Sequence, residues 1–316
     1  MIRNTAARIK NWFRRIINFV RRLFQRTPHM KMRNFNLGYH LVAFLDVLGQ
    51  RDRFRDLRLP KTPQEAAAVG EVLRQTAGFV LDLRDAFDEQ FKSFEAAVTN
   101  VTRHTKEPLR PKFVGFSDSF VTSVPLRNEG GDLVGIVTVF SALSAAAVVM
   151  LMSLANKHPL RGGIDVGLAA EIGPQEIYGA ALGSAYLLES EEAGYPRIVI
   201  GDELWRYFNA AIANFRTQTT PVARSITAIT ERLMGLIATD TDGKRILDYM
   251  GQTMSEHTGP GSRQGELMVK PAYEFVLAEQ KRIVAGGNPK LIARYAAFRA
   301  YVESRLALWA LQVKTD

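Results

Sequence analysis

The sequence predicts an α+β fold, in which helices pack against a β-sheet. Two stretches, YHLVAFLDVLGQ at 39–50 and FVGFSDSFV at 113–121, have the apolar composition of buried strands. Between about 160 and 215, strand-like and helix-like segments alternate. Interleaved strands and helices of this kind form a sheet with helices packed on it.

Hydrophobic spacing and glycine or proline breaks place the individual elements. In chain order we predict a strand at 41–47, helical sequence at 63–100, a hairpin at 112–124, a helix at 133–156, a strand at 160–170, a helix at 179–193, a strand at 195–200 and a helix from 202. Residues 216–316 read as helical throughout, with loops at HTGPGSRQGE and AGGNP. The chain thus divides into an N-terminal helix at 1–34, a main domain at 35–215 and a helical extension at 216–316.

The positive charge is confined to the N-terminal arm. The net charge is +9, but residues 1–45 hold ten of the 41 Lys and Arg and no acid, which leaves 31 basic against 32 acidic side chains. The main domain is therefore neutral, and a nucleic-acid partner is not expected. The arm, ARIKNWFRRIINFVRRLFQR, is a basic amphipathic helix. Through residues 1–26 it would bind either an anionic membrane surface or an apolar protein face.

Composition excludes several kinds of chemistry. The chain has no cysteine, so disulfides, thiolate metal sites and cysteine nucleophiles are ruled out, and a cytoplasmic location is expected. No P-loop, G-x-S-x-G or G-x-G-x-x-G motif is present, and the five histidines lack metal-ligand spacing.

The stretch LVGIVTVFSALSAAAVVMLMSLAN at 133–156 is uncharged and long enough to span a bilayer. Its Ser, Thr and Asn residues, and flanks that continue directly into strand-like sequence, favour a helix buried against a sheet or across a subunit interface.

Two aspartates lie at the ends of predicted central strands. Asp46 ends YHLVAFLD, and Asp118 lies within FSDSF. A carboxylate among apolar residues is costly unless a cation neutralises it. Two such carboxylates could hold two divalent ions that clamp a triphosphate, although each could instead cap a turn or pair with an arginine.

A third segment gives the pattern a family resemblance. PLRGGIDVGLAAEIG followed by EIYGAALGSAYLLE resembles the strand, turn and helix of class III nucleotidyl cyclases, and FLDVLG and GFSDSF precede it in the family's order. The insertion at 63–107 and the AYLLE…AGYPRIVI ending look most like the bacterial pyrimidine cyclases of anti-phage Pycsar systems. The resemblance covers about residues 39–205. It implies a ferredoxin-like sheet with packed helices.

The resemblance implies roles for the residues that match the motifs. Asp46 and Asp118 would bind two Mn²⁺ or Mg²⁺ ions, with the carbonyl of Val47 completing one coordination shell. The turn of Leu48, Gly49 and Gln50 would present N–H groups to phosphates. Arg161 would contact the triphosphate, although a salt bridge to a neighbouring carboxylate is the alternative.

Departures from the purine cyclases point to the base. Val114 stands where they carry a Lys, and Glu176 stands where they carry an Asp. Because those two side chains read the purine edge, a pyrimidine is the expected substrate. Tyr178 and Tyr186 would stack on the base or hydrogen-bond to it, or else serve only in packing.

The catalytic Asn and Arg of the purine cyclases are also absent, and Gly183 and Leu187 occupy their positions. Either another cation replaces them, Arg197 or Arg51, or catalysis is weak. Arg197 could instead pair with Glu189 or Glu192.

The resemblance further implies a homodimer with active sites across the interface, and the alanine-rich helix near 141–155 suits such an interface. The predicted function is conversion of UTP to cyclic UMP as a phage-triggered messenger. A cyclase for CTP or a purine, and a catalytically silent cyclase-like protein used for dimerisation and membrane docking, are the alternatives.

Overall fold

A mixed sheet lies at the centre of the structure, a computed structural model that describes residues 36–55, 57–102, 110–116, 118–126, 133–172 and 176–310. Its eight strands, within those ranges, are β1 Asn36–Val47, β2 Lys112–Phe116, β3 Ser119–Pro125, β4 Leu160–Glu171, β5 Ile177–Gly179, β6 Ile198–Ile200, β7 Ile237–Thr239 and β8 Arg245–Leu247. The strand order is β2-β3-β1-β4-β6-β8-β7, with β5 pairing to β4. The predicted N-terminal helix, with its proposed membrane contact through residues 1–26, lies outside the described residues.

Helices cover the sheet and extend beyond it. They are α1 Gln50–Arg55, α2 Pro63–Leu73, α3 Phe79–Thr102, α4 Leu133–Ala155, α5 Ala180–Leu187, α6 Asp202–Phe215, α7 Pro221–Met234, α8 Gln252–Thr258, α9 Arg263–Ala285 and α10 Pro289–Leu306. Single π-helical turns at Arg74–Gly78 and Leu188–Glu192 join α2 to α3 and extend α5. This arrangement of a sheet with packed helices and a helical C-terminal part confirms the predicted α+β fold class.

The apolar helix is found where it was predicted, and it is a core element. By length and hydropathy Gly135–Ala155 could cross a membrane, but 94% of that segment is buried inside the protein. It packs against α3 on one side and against α7 and α9 on others. The alanines at 145–147 are fully buried. The prediction that this helix forms a subunit interface is therefore wrong, because the chain's own helices occupy its faces.

We predicted that the C-terminal part is helical throughout, and this prediction is wrong. A hairpin of two three-residue strands, β7 and β8, adds to the sheet edge through a pairing of Val199 with Ile246. Its turn contains Gly243 in the left-handed region, at φ +81°. Strands of three residues are too short to show an alternation of apolar and polar side chains. The dipeptide Asp242-Gly243, which is typical of hairpin turns, was the sequence feature that could have predicted this hairpin.

Residues Leu37–Asp316 form one compact unit. The parts that we predicted as 35–215 and 216–316 contribute to one hydrophobic core. Trp309, near the end of the described chain, is fully buried and donates its indole N–H to the carbonyl of Met250 at 2.9 Å.

The two faces of the sheet differ in how they are covered. Leu41, Ala43 and Leu45 of β1 belong to the main core. Because side chains alternate along a strand, Val42, Phe44 and Asp46 lie on the opposite face. We call this opposite face of the sheet the open face. A small apolar cluster lies on it and is covered by α5. The cluster comprises Val42, Val121, Ala169, Ala181 and Ala185, with the partly buried Phe44, Val114, Ile177 and Leu182.

Candidate active site

The two predicted aspartates lie side by side at one end of the sheet. The antiparallel register of β1 and β3 pairs Asp46 with Ser119, and the N–H of Val47 donates to the carbonyl of Asp118 at 3.1 Å. Asp118 is thus the turn residue immediately before β3. The hairpin and its neighbour β1 bring together two carboxylates that are far apart in the sequence.

Arg161 joins this pair from β4. Its Nε lies 3.4 Å from Oδ2 of Asp46 and 2.5 Å from Oε1 of Glu189. The contact between Nε of Arg161 and Oε1 of Glu189 is an ion pair. It is not a hydrogen bond, because neither of these two atoms has a hydrogen-bond partner of proper geometry. The alternative foreseen for Arg161, a salt bridge to a neighbouring carboxylate, therefore occurs in this structure, and the contact with Asp46 occurs beside it.

Glu189 is held at the site by a close approach of helix and strand. It lies in the π-helical turn after α5, and its side chain is 4% exposed. A Cβ at Gly163 of β4 would overlap the carbonyl of Ala185 and the side chain of Leu188. Gly163 is thus required for the contact that places Glu189 against the strand carrying Arg161.

Three carboxylates, Asp46, Asp118 and Glu189, form what we call the carboxylate cluster, and Arg161 is the cation beside it. Burial, followed by the charges of Glu189 and Asp118, raises the pKa of Asp46 to about 7, although Arg161 opposes the shift. Burial also raises the pKa of Glu189, against the opposing effect of Arg161. One guanidinium does not balance the cluster's negative charge, so the site favours a further cation.

The donor set fits Mn²⁺ or Mg²⁺, which prefer oxygen ligands. Among the described residues, no three His, Asp or Glu side chains group as a complete metal site. Asp46, Asp118 and the carbonyl of Val47 would hold metal ions whose remaining positions are open to water and phosphate oxygens, as magnesium sites commonly are.

We expect the metal-free protein to lose stability as pH rises from about 4 to 7. The folded-state pKa of Asp46 lies above its ordinary value, so in this window the folded chain holds a proton that the unfolded chain has released. The contribution of Asp46 to stability is fully present below the unfolded-state pKa and is gone above about pH 7. Thermal unfolding in EDTA should show a slope with pH that the Asp46→Asn variant reduces. An unchanged slope in that variant would contradict the assignment.

Of the turn residues predicted to bind phosphate, Leu48 is already engaged, because its N–H donates to the carbonyl of Pro159 at 2.9 Å. Gly49 adopts φ +83° with open space around it, and Gln50 begins the six-residue helix α1. Of the three residues predicted to bind phosphate, Gly49 and Gln50 therefore remain as candidates.

The predicted base-contacting residues lie on or beside the open face, which also carries Asp46. Val114 is half-buried in the apolar cluster, and Glu176 is exposed just before β5. Tyr178 is 73% exposed. Tyr186 is half exposed and packs edge-on against Phe44, with ring centroids 5.4 Å apart.

Arg197 forms ion pairs with carboxylates other than the two predicted. Its guanidinium is buried and pairs with Asp240 and with Asp242, the latter at 2.6 Å, and donates to the carbonyl of Glu192 at 2.7 Å. Glu189, suggested as its partner, pairs with Arg161 instead. A catalytic role for Arg197 would require it to leave this network.

The positions of the missing Asn and Arg, Gly183 and Leu187, are exposed on α5. They offer no charge. The side chain of Arg51, the other cation considered, lies outside the described part of the structure.

Comparisons with known proteins give no family assignment. No family model matches the chain, and no curated protein matches its sequence. Solved structures with similar architecture include the adenylyl cyclase CyaB from P. aeruginosa, at 15% identity and TM-score 0.34, over 56% of this chain and 84% of that one. The guanylyl cyclase domain of the RhoGC fusion protein from the aquatic fungus Blastocladiella emersonii is 12% identical with TM-score 0.33, over 56% and 90%.

A class III adenylyl cyclase-like ATP-binding protein from Pseudomonas aeruginosa is 14% identical with TM-score 0.34. That similarity covers 66% of this chain and 47% of the other. At such identities and scores the likeness concerns the arrangement of helices and strands, and no residue role is taken from it.

Proposed function

We propose that the protein is a nucleotidyl cyclase that converts UTP to cyclic UMP and pyrophosphate with two divalent metal ions. The observation that carries the proposal is the position of Asp46 next to Asp118 at the end of the sheet, with Arg161 within reach of Asp46. Two carboxylates and an arginine are the groups that metal-assisted phosphoryl chemistry requires.

In the proposed reaction the ribose 3′-oxygen attacks the α-phosphorus of the same nucleotide. A new P–O bond forms, the bond from the α-phosphorus to the leaving pyrophosphate breaks, and the hydroxyl proton passes to water. Ions held by Asp46 and Asp118 would acidify the hydroxyl and stabilise the leaving oxygens. The guanidinium of Arg161 would exchange Glu189 for phosphate oxygens, with which it can form paired hydrogen bonds.

The preference for a pyrimidine rests on what the open face offers a base. Val114 provides apolar contact and no hydrogen bond, unlike a lysine. Tyr178 and Tyr186 are exposed and can supply a ring face and a hydroxyl to a base. CTP or a purine nucleotide would demand a different set of donors and acceptors.

A homodimer is part of the proposal, because Glu176 and Tyr178 lie at β5, which pairs with the end of β4 far from Arg161. The exposed side chains of Tyr178, Tyr186 and Leu187, beside the buried apolar cluster, support self-association through this face. Each subunit would then offer its tyrosines to the metal site of the other.

The proposed biological role is second-messenger synthesis in anti-phage defence of the Pycsar type, in the cytoplasm or at the inner membrane surface. It rests on the sequence resemblance at 39–205.

The direct test is to incubate the purified full chain with Mn²⁺ and each of ATP, GTP, CTP and UTP separately, and to identify products by mass. Cyclic UMP from UTP, with little product from the others, is the expected result. A cyclic product from another nucleotide would keep the cyclase and change the base. No product from any nucleotide, with Mn²⁺ bound, would favour the second candidate.

That second candidate is a catalytically silent cyclase-like protein used for dimerisation and membrane docking. The observation favouring it is that α5 carries no cation at Gly183 or Leu187, while Arg197 is committed to Asp240 and Asp242.

A further inference from the structure

A cavity of about 420 Å³ adjoins the carboxylate cluster on the side of the turn after β1. One wall is the turn itself with the start of α1, and another is the segment at 157–159 that leads into β4. The segment at 194–196 and the helices α9 and α10 complete the lining. Arg161 lines this cavity as well as contacting Asp46, so the two spaces meet at its side chain.

The charge lining this cavity is strongly positive, and we call it the basic cavity. Arginine and lysine contribute five cations against the single carboxylate of Glu279; the cations are Arg53, Lys157, Arg161, Arg282 and Arg294. Arg282 is paired with Glu279, its Nε lying 2.9 Å from Oε2. Of the other cations, Arg53, Lys157 and Arg294 have no carboxylate within salt-bridge distance among the described residues. Such an imbalance within a concave surface attracts anions.

Gln50 gives an independent sign that a ligand belongs in the basic cavity. Gln50 is among the residues that line the cavity and is 2% exposed, and neither its amide nitrogen nor its amide oxygen has a hydrogen-bond partner. Buried amides are normally satisfied, and each missing bond is costly. With the Gln50 side chain turned into the cavity, a bound oxyanion would accept from the amide nitrogen, and a water bound to that oxyanion would donate to the amide oxygen.

We propose that the basic cavity binds the terminal phosphates of the nucleotide, and that Arg282 of α9 and Arg294 of α10 position them. The proposal rests on the cyclase function and assigns the C-terminal helices a place in its substrate site. With Arg161 at the junction, the α-phosphate would lie by the carboxylate cluster while the β- and γ-phosphates extend into the cavity. The same cations would hold pyrophosphate after the bond to the α-phosphorus breaks.

Glu279 makes the proposal sharply testable. It is the one carboxylate lining the basic cavity, and it competes with the ligand for Arg282. Removing its charge should therefore strengthen anion binding, whereas a residue needed only for folding would not give a gain when substituted.

The experiment measures binding of inorganic triphosphate to the full chain by titration calorimetry, in EDTA and at low salt, where no turnover or metal contributes. Arg282→Gln and Arg294→Gln should each weaken binding about tenfold, as expected for loss of a charged hydrogen bond. Glu279→Gln should tighten it about threefold. Arg206→Gln is the matched control, since Arg206 is also exposed and paired with a glutamate three residues away.

Binding that is equal in all folded variants, or no binding of triphosphate by the wild type, would overturn the proposal. The KM for the nucleotide, measured in parallel with Mn²⁺, should rise in the two arginine variants. If the calorimetric series comes out as expected while no variant and no wild-type sample forms a cyclic product, the anion site stands and the cyclase function fails.

Discussion

Replacement of Asp118 by asparagine should lower cyclase turnover at least about 1,000-fold while leaving the protein folded. The variant keeps the shape of the side chain but removes a charge that the proposed metal ions would need, and loss of such a preorganised electrostatic group has effects of about this size. The measurement is the rate of cyclic product formation with saturating Mn²⁺. Asp46→Asn should behave in the same way.

The stability of the Asp118→Asn protein separates a metal ligand from a structural residue. Without metal, Asp118 raises the pKa of Asp46, so its charge acts against the folded state. We expect an unchanged or higher melting temperature in EDTA, and a smaller increase when Mn²⁺ is added. Asp88→Asn, on α3 and paired with Lys92, is the control that should keep full turnover. Turnover of Asp118→Asn above a tenth of wild type would rule out the assigned role.

Replacement of Trp309 by alanine should reduce the free energy of unfolding by about 3–5 kcal/mol, the range for large aromatic side chains in cores. Trp309 is fully buried, packs beside Gly265 of α9 and bonds to Met250. Removal leaves a cavity and an unsatisfied carbonyl in the part of the core built by the C-terminal helices. Urea unfolding followed by circular dichroism gives the measurement.

A conservative variant isolates the two contributions. Trp309→Phe retains most of the packing but loses the indole N–H, and should cost about 1–2 kcal/mol. Because one core serves residues on both sides of position 215, loss of Trp309 should shift a single transition. A separate early transition, with the sheet still folded, would show that the C-terminal helices are an independent unit.

The adjacency of Asp46 and Asp118 could be predicted from the sequence because each lies at the end of an apolar strand. In addition, the motifs that contain them follow the order of the motifs in the cyclase family that the sequence resembles. The partner of Arg161 could not be predicted. Glu189 and Glu192 are both acids within one turn after α5, and nothing local distinguishes which faces β4. The π-helical turn and the absence of a side chain at Gly163 place Glu189 against β4, and both depend on the folded structure.

The same limit explains the errors in the fold. The apolar composition of α4 correctly predicts that the helix is buried, but it does not identify the elements that pack against the helix. The covering helices α7 and α9 come much later in the chain, so a second subunit seemed an equal candidate. Likewise the strands β7 and β8 are stable because they extend an existing sheet edge. A sequence of three residues does not by itself predict that pairing.

The burial of α4 has a consequence for synthesis of the protein in the cell. This helix, as apolar as a membrane span, leaves the ribosome well before Arg263–Ala285, the helix that covers one of its sides. At typical translation rates the interval is on the order of 10 seconds. During that time the sides of α4 that α7 and α9 later cover are exposed on the nascent chain, and we expect chaperones to bind there. Slow translation of the C-terminal third should therefore lower the yield of folded protein more than slow translation of the first hundred residues.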